Sequence, residues 1–141
     1  MNIIDFVNKW CGKKCDYDGH YGAQCVDLFR QYCKDVLEIP HTGAVEGAKD
    51  IAEKYESMPI EKKYFALVKA SQYMKEGDVA VWGKSDTNKY GHVAIVIHQY
   101  ANGDLLVFEQ DGFKQDGAKL AIRKTGERFL GYLRTWTEME A

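Results

Sequence analysis

Asn102-Gly103 stands between two apolar runs, GHVAIVIHQY and DLLVFEQ, and this pairing constrains the fold more than any other feature of the chain. An Asn-Gly pair supplies the positive φ values of a tight hairpin turn, so the two runs are expected to lie antiparallel and hydrogen-bonded. With a two-residue turn Ala101 faces Asp104, which sets Val96 against Glu109 and Ala94 against Asp111. His92, Ala94, Val96 and His98 then share one face with Glu109 and Asp111, because strand side chains alternate with period two. Asp111 becomes the diagonal neighbour of His92 at ~7–8 Å between backbones, with Glu109 one step further along. A three-residue turn reverses this parity and removes both acids from the face.

The rest of the second half also reads as strands. GDVAVWG is an apolar run bounded by glycines, and LAIRKT and FLGYLRTW complete a meander. The first half reads helical. IIDFVNKWC sets Ile3, Phe6, Val7 and Trp10 on one face. A second helix starts near Gln24, with Cys25, Leu28, Phe29, Tyr32, Val36 and Leu37 at steps of three and four and Pro40 just beyond. GAVEGAKDIAEKYE predicts a weaker third helix, and residues 57–75 carry no decisive period. Helices first and strands afterwards mean an α+β fold, with N-terminal helices packed on one face of a C-terminal antiparallel sheet. The length of 141 residues predicts one domain over residues 1–141.

A formal charge of -2 gives no basis for a nucleic-acid or anionic-membrane partner. No apolar run approaches the ~20 residues of a membrane span. MNIIDFVNKW places Asp5 inside its apolar patch and has neither a basic start nor a small-residue cleavage site, so synthesis in the cytoplasm without a signal peptide is expected. In that compartment the four cysteines stay reduced. They form no CxxC pair, which weakens a structural zinc site on Cys11, Cys15, Cys25 and Cys33; Cys11 and Cys33 read as small buried hydrophobes.

Cys25 is different, because it opens an amphipathic helix. There the helix dipole and the free N–H groups favour thiolate over thiol. A cysteine on an apolar helical face is more often core, but the predicted hairpin adds an imidazole and two carboxylates. Cysteine at a helix N-terminus, His92 on a strand and an acid to orient it (Glu109 or Asp111) form the triad arrangement of papain-like hydrolases, suited to acyl transfer. Gly91 permits a close approach by substrate or backbone. Just upstream, DYDGHYGAQCVD places Asp16, Asp18 and Asp27 at the first, third and twelfth positions of a calcium-loop spacing. Tyr21 replaces the usual sixth-position glycine and Asp27 the usual glutamate, so the loop is EF-hand-like at most. His20 and Gly22 are expected to offer only carbonyl oxygens, and the alternative is a solvated acidic turn.

In order, YGAQCVDL, GDVAVW, GHVAIV and VFEQDG resemble the CHAP domain, the cysteine, histidine-dependent amidohydrolase/peptidase of phage endolysins and bacterial autolysins. The resemblance runs from about Asp16 to Arg134. It implies a papain-like fold with Cys25 as nucleophile, His92 as general base and Glu109 as acidic partner. Asp111 stands where the family usually has Asn. It also implies calcium as cofactor on Asp16, Asp18 and Asp27. The implied substrate is bacterial peptidoglycan, cut at an amide bond as an N-acetylmuramoyl-L-alanine amidase or a cross-bridge endopeptidase. A phage lysin of this kind would act on the cell wall as a monomer without inserting in a membrane. Trp82, Tyr90 and Tyr21 are candidate groove aromatics. The rival readings are a calcium-dependent wall-binding module without catalysis and a papain-like acyltransferase that passes the acyl group to an amine.

Overall fold

The computed structural model describes residues 1–19, 22 and 24–141. His20, a metal-ligand candidate, and Tyr21, a groove candidate, lie outside the described residues. Helix α1 spans Ile3–Trp10; Asn2 caps it by accepting from the Asp5 N–H at 2.9 Å, and Ile3 and Phe6 are buried. Helix α2 spans Cys25–Tyr32 and continues into a π-helical turn, Cys33–Leu37, that ends at Glu38 with φ 54°. The predicted third helix is largely irregular. Only Asp50–Glu53 (α3) is α-helical, followed by a 3₁₀ turn at Tyr55–Ser57. Gly43 and Gly47 lie in the irregular stretch, and Gly47 lets the loop approach Tyr90 where a Cβ would meet a carbonyl at 2.6 Å. The undecided stretch holds helix α4, Pro59–Tyr64, and strand β1, Phe65–Val68.

The remaining strands are β2 (Val79–Trp82), β3 (His92–Gln99), β4 (Leu105–Gln110), β5 (Ala118–Arg123) and β6 (Phe129–Thr135), and helix α5, Trp136–Glu140, ends the chain. The sheet order is β1-β6-β2-β3-β4-β5, antiparallel throughout. The expected α+β architecture is present, but β6 does not extend a meander. It returns across the sheet and pairs with β2 and β1, where Leu133 faces both Val79 and Leu67. The returning segment is tied to β2, since Gly83 N–H donates to the Arg128 carbonyl at 2.8 Å.

Helices cover one sheet face. Phe6, Leu28, Phe29 and Tyr32 pack there on Val79, Val81, Val93, Ile95 and Phe108. A second, smaller core of Ala80, Trp82, Ala94, Val96, Leu105, Val107 and Tyr132 occupies the other face. The two clusters contain alternate residues of the same strands, as the pleat requires. Both faces being buried explains why β2 reads as a continuous apolar run rather than an alternation. Among the described residues no helix is long and apolar enough to cross a membrane.

The central hairpin corrects the sequence reading twice. Tyr100 N–H donates to the Asp104 carbonyl, so Ala101, Asn102 and Gly103 form a three-residue loop with Gly103 at φ 94°. The register then shifts between Val96 and His98, where Ile97 is an extra residue: His98 faces Leu106, but Val96 faces Val107 and Ile95 faces Phe108. The longer loop alone would invert the parity, and the bulge inverts it back. Continued toward the strand end, this register sets Ala94 against Glu109 and His92 against Asp111. Glu109 is thus the diagonal neighbour of His92, and Asp111 its opposite.

Candidate active site

His92 opens β3 and meets Glu109, with Nε2 3.0 Å from Oε1. The same imidazole couples electrostatically to the Cys25 thiol at the start of α2, with which it lines one groove. With Nε2 turned to Glu109, Nδ1 is the nitrogen left for Cys25. A single ring therefore bridges a carboxylate on one strand and a thiol on a helix. Burial by itself would lower the His92 pKa, but the interactions with Cys25 and Glu109 outweigh it and lift the value from 6.5 to about 9. Burial would likewise raise Glu109, which is 2 % exposed; hydrogen bonds from His92 and Arg123 reverse this and bring it to about 2. The pair is accordingly an imidazolium and a carboxylate at neutral pH.

The bridge depends on backbone devices. Gly91, at φ 76°, precedes His92, and a Cβ there would lie 2.4 Å from the Trp82 carbonyl. The close approach expected of Gly91 is thus to backbone. At the helix side, Gln24 N–H donates to Asp27 Oδ2 at 3.0 Å and fixes the turn into α2. Gln110, fully buried, accepts from Cys15 N–H at 2.7 Å and donates to the carbonyls of Cys15 at 2.7 Å and Gln24 at 2.8 Å. Adjacent residues of β4 point to opposite faces, so Glu109 holds the imidazole while Gln110 holds the segment that carries Cys25.

The other thiols have different settings. Burial, then Asp27 and Asp35, push Cys15 up to about 12. Burial also raises Cys33, which is 1 % exposed as expected, whereas Cys11 is exposed, contrary to its reading as a buried hydrophobe. Cys11 follows the end of α1 and joins the sheet through an isolated bridge to Ala118, which leaves its side chain outside the core. Asp111 does not contact His92 through a hydrogen bond among the described residues. Its Oδ1 accepts from Phe113 N–H at 2.8 Å and Lys114 N–H at 3.3 Å, capping the turn after β4.

Two open grooves of about 660 and 700 Å³ meet at His92. The first runs past Cys25, Gly47 and Tyr90, the second past Trp82, Arg123 and Arg128, and Asn88, His92 and Asp111 line both. Tyr90 is 41 % exposed on its groove; Trp82 is 9 % exposed and packs its indole 5.8 Å from the His92 ring.

Asp16, Asp18 and Asp27 gather as the spacing predicts, each with a carboxylate oxygen within 4.8 Å of the others. Among the described residues this is the single such group of His, Cys, Asp or Glu, so the four cysteines do not assemble a zinc site. The donor set is all hard oxygen and fits a calcium ion in kind. Burial, together with Asp18 and Asp16, outweighs a backbone hydrogen bond at Gln24 and the Arg30 charge to raise Asp27 to about 6, so a cation there relieves a real penalty. Arg30 supplies part of that charge, with Nη1 3.4 Å from Asp18 and 3.5 Å from Asp27. Gly22 lies beside the cluster in sequence, at φ 73°, and packs closely on Gln115.

Arg123 and Gln110 are the site residues that sequence reasoning missed. Arg123 donates from Nε to Glu109 Oε1 and from Nη2 to Oε2 at 2.9 Å. A charged residue in the run LAIRKT was the available signal for the first, and an amide beside the predicted acid for the second.

Against known proteins, the family model described as the CHAP domain matches residues 14–111. A "D-alanyl-L-alanine endopeptidase" of Streptococcus phage B30 is 38% identical over 94 residues, covering 64% of this chain and 20% of that protein. "Endolysin PlyTW" of Staphylococcus phage Twort is 35% identical over 95 residues, covering 64% of this chain and 18% of its own length. The chain thus spans about a fifth of these curated relatives. Among solved structures, the endolysin LysIME-EF1 superposes with a TM-score of 0.70 at 24% identity, over 95% of this chain and 64% of that one. Ly7917 also gives 0.70, at 17% identity, over 94% and 60%. These structural likenesses bear on the fold, which matches the α+β, papain-like arrangement expected.

Proposed function

The chain belongs to the CHAP domain family, and from that premise we propose that it hydrolyses an amide bond of bacterial peptidoglycan through a cysteine thiolate and an acyl-enzyme. The observation that carries this reading is the imidazole of His92, bonded to Glu109 and lining one groove with Cys25 at the start of α2. His92 takes the proton of Cys25 and leaves it a thiolate. Its Sγ attacks the substrate carbonyl carbon, and the backbone N–H groups opening α2 hold the developing oxyanion. Collapse breaks the C–N bond as His92 passes its proton to the departing amine. Water then gives a proton to His92 and its oxygen to the thioester carbon, releasing a carboxylic acid and restoring the thiolate–imidazolium pair. Glu109 keeps Nε2 oriented throughout, and Asp111 shapes the mouth of the site by capping its own turn.

The relative from Streptococcus phage B30 is named an endopeptidase, which favours a peptide bond within the cross-linked stem over the muramoyl amide bond. Calcium is the metal proposed for Asp16, Asp18 and Asp27, with the backbone oxygen of Gly22 as a further ligand. It would neutralise the acids beside the nucleophile's helix and brace the loop that enters it. The site meets this substrate at the bacterial cell wall.

The test is turbidity clearing of purified Gram-positive walls by wild type and Cys25→Ala, with mass spectrometry of the released fragments. Cysteine-dependent clearing that liberates new peptide amines supports the reading. Clearing that persists in Cys25→Ala sinks the thiolate mechanism, and wall binding without any clearing turns the domain into a binding module.

A further inference from the structure

We propose that Arg123 is a positioning residue of this site, clamping the Glu109 carboxylate on both oxygens and so fixing the partner of His92. The inference rests on the roles just proposed for Cys25, His92 and Glu109. Arg123 Nε donates to Oε1, the oxygen that His92 Nε2 also meets, while Nη2 takes Oε2 at 2.9 Å. A planar guanidinium matches a carboxylate in this two-point fashion, and a lysine ammonium cannot. Three hydrogen bonds from two cationic groups leave Glu109 no freedom to turn away from the imidazole.

The surroundings lock the clamp itself. The Arg123 guanidinium lies 5.9 Å from the centre of the Trp82 ring, whose indole packs against His92. Trp82 Nε1 donates to the carbonyls of Lys124 at 3.3 Å and Thr125 at 2.9 Å, holding the residues that follow Arg123 to the same indole. Arg123 lines a groove and is 38% exposed at the side chain, whereas Glu109 is 2 % exposed and lines neither groove. The guanidinium therefore stands between the carboxylate and the substrate side.

This arrangement has a chemical consequence. A buried carboxylate facing an imidazolium alone would compete for its proton; with Arg123 in place Glu109 is already neutralised as an anion, and the proton stays available for the leaving amine. The charged groups around the pair are Cys25 from α2, Glu109 and Asp111 from β4 and its turn, and Arg123 and Lys119 from β5. Removing the Arg123 cation leaves His92 as the main counterion of Glu109, so His92 holds its proton to higher pH.

The experiment is a ¹⁵N-histidine NMR titration of the full chain as wild type, Arg123→Gln and Arg123→Lys, with His92 assigned by its loss in His92→Gln. The His92 midpoint is expected to rise by about half a pH unit or more in Arg123→Gln and to stay near wild type in Arg123→Lys. Wall hydrolysis should fall roughly 10–100-fold in Arg123→Gln and recover in part in Arg123→Lys. An unmoved or lowered midpoint in folded Arg123→Gln overturns the proposal. Should that variant fail to fold by circular dichroism, Arg123→Lys decides: reduced turnover with an unmoved midpoint supports the two-point clamp, and wild-type turnover overturns it. The titration uses no substrate, so a wild-type chain that clears no walls counts against the functional reading alone.

Discussion

Gln110 shows how much of this site rests on one uncharged side chain. Its carboxamide satisfies the buried N–H and carbonyl of Cys15 and the carbonyl of Gln24 at the surface. Leucine has a similar volume and none of this capacity, and each buried polar group left unpaired costs about 1–3 kcal/mol. Gln110→Leu is therefore expected to lose roughly 2 kcal/mol or more in urea unfolding. It should also lower turnover in conditions where it remains folded, because Gln24 precedes the nucleophile. A Gln110→Leu protein as stable and active as wild type would mean that the loop is held by other contacts. Glu109, one residue earlier, is legible in the sequence as an acid on a histidine's strand partner. Gln110 is not, since an amide between an acid and an aspartate has no period or charge that marks it as internal.

At the scale of elements, the hairpin turn and its bulge act together on the site. Gly103 sits at φ 94° with nothing within 4 Å of a Cβ built on it, so Gly103→Ala meets backbone strain and no clash. The expected cost is about 1 kcal/mol, with turnover unchanged because His92 lies at the far end of β3. A denaturant midpoint and a wall-clearing rate measured together check this. A loss of activity out of proportion to the lost stability would show that the turn, rather than the Ile97 bulge, sets the register at His92. The Asn-Gly signal made the hairpin legible, yet the two-residue turn it suggests is not the one formed. The face shared by His92, Glu109 and Asp111 came out as expected only because the bulge compensates for the third loop residue. A bulge has no distinctive residue here, so the pattern could place the acids on the right face but one same-face step too far from His92. Strand β5 was less legible still. Its apolar residues Leu120 and Ile122 are 47% and 56% exposed, while Arg123 turns inward to Glu109, the reverse of the alternation a half-buried strand should show. β6 was misplaced for a related reason, because order along the chain cannot report a strand that returns to pair with β2 and β1.

For the whole molecule, the site joins the two sheet faces at one end, and its charges leave a mark on global stability. Glu109 is lowered from 4.5 to about 2, so its contribution is complete above pH 4.5 and is lost as pH falls toward 2. His92 is raised from 6.5 to about 9, so its contribution is complete below pH 6.5 and is lost as pH rises toward 9. Urea midpoints followed from acid to alkaline pH should decline at both ends, with Glu109→Gln flattening the acid limb and His92→Gln the alkaline one. Limbs that survive both substitutions would assign the pH dependence to other groups. Asp27 acts in the opposite sense to Glu109: raised from 3.8 to about 6, it withdraws stability as pH rises through that interval. Arg30 offsets only part of this, being shared with Asp18 and the Gly43 carbonyl. A calcium ion bound by the folded cluster and not by the unfolded chain stabilises by mass action, about 2.7 kcal/mol at ~100 times its Kd. For a chain of 141 residues this is a rise in melting temperature of about 9 °C. The melting temperature is therefore expected to climb with calcium at neutral pH and to return with chelator, and Asp16→Asn with Asp18→Asn should abolish the difference while leaving the metal-free value near or above wild type, since two repelling charges are gone. Equal melting temperatures with calcium and chelator in the wild-type chain would instead make Arg30 the cluster's working counterion, and wall clearing should then be indifferent to chelation.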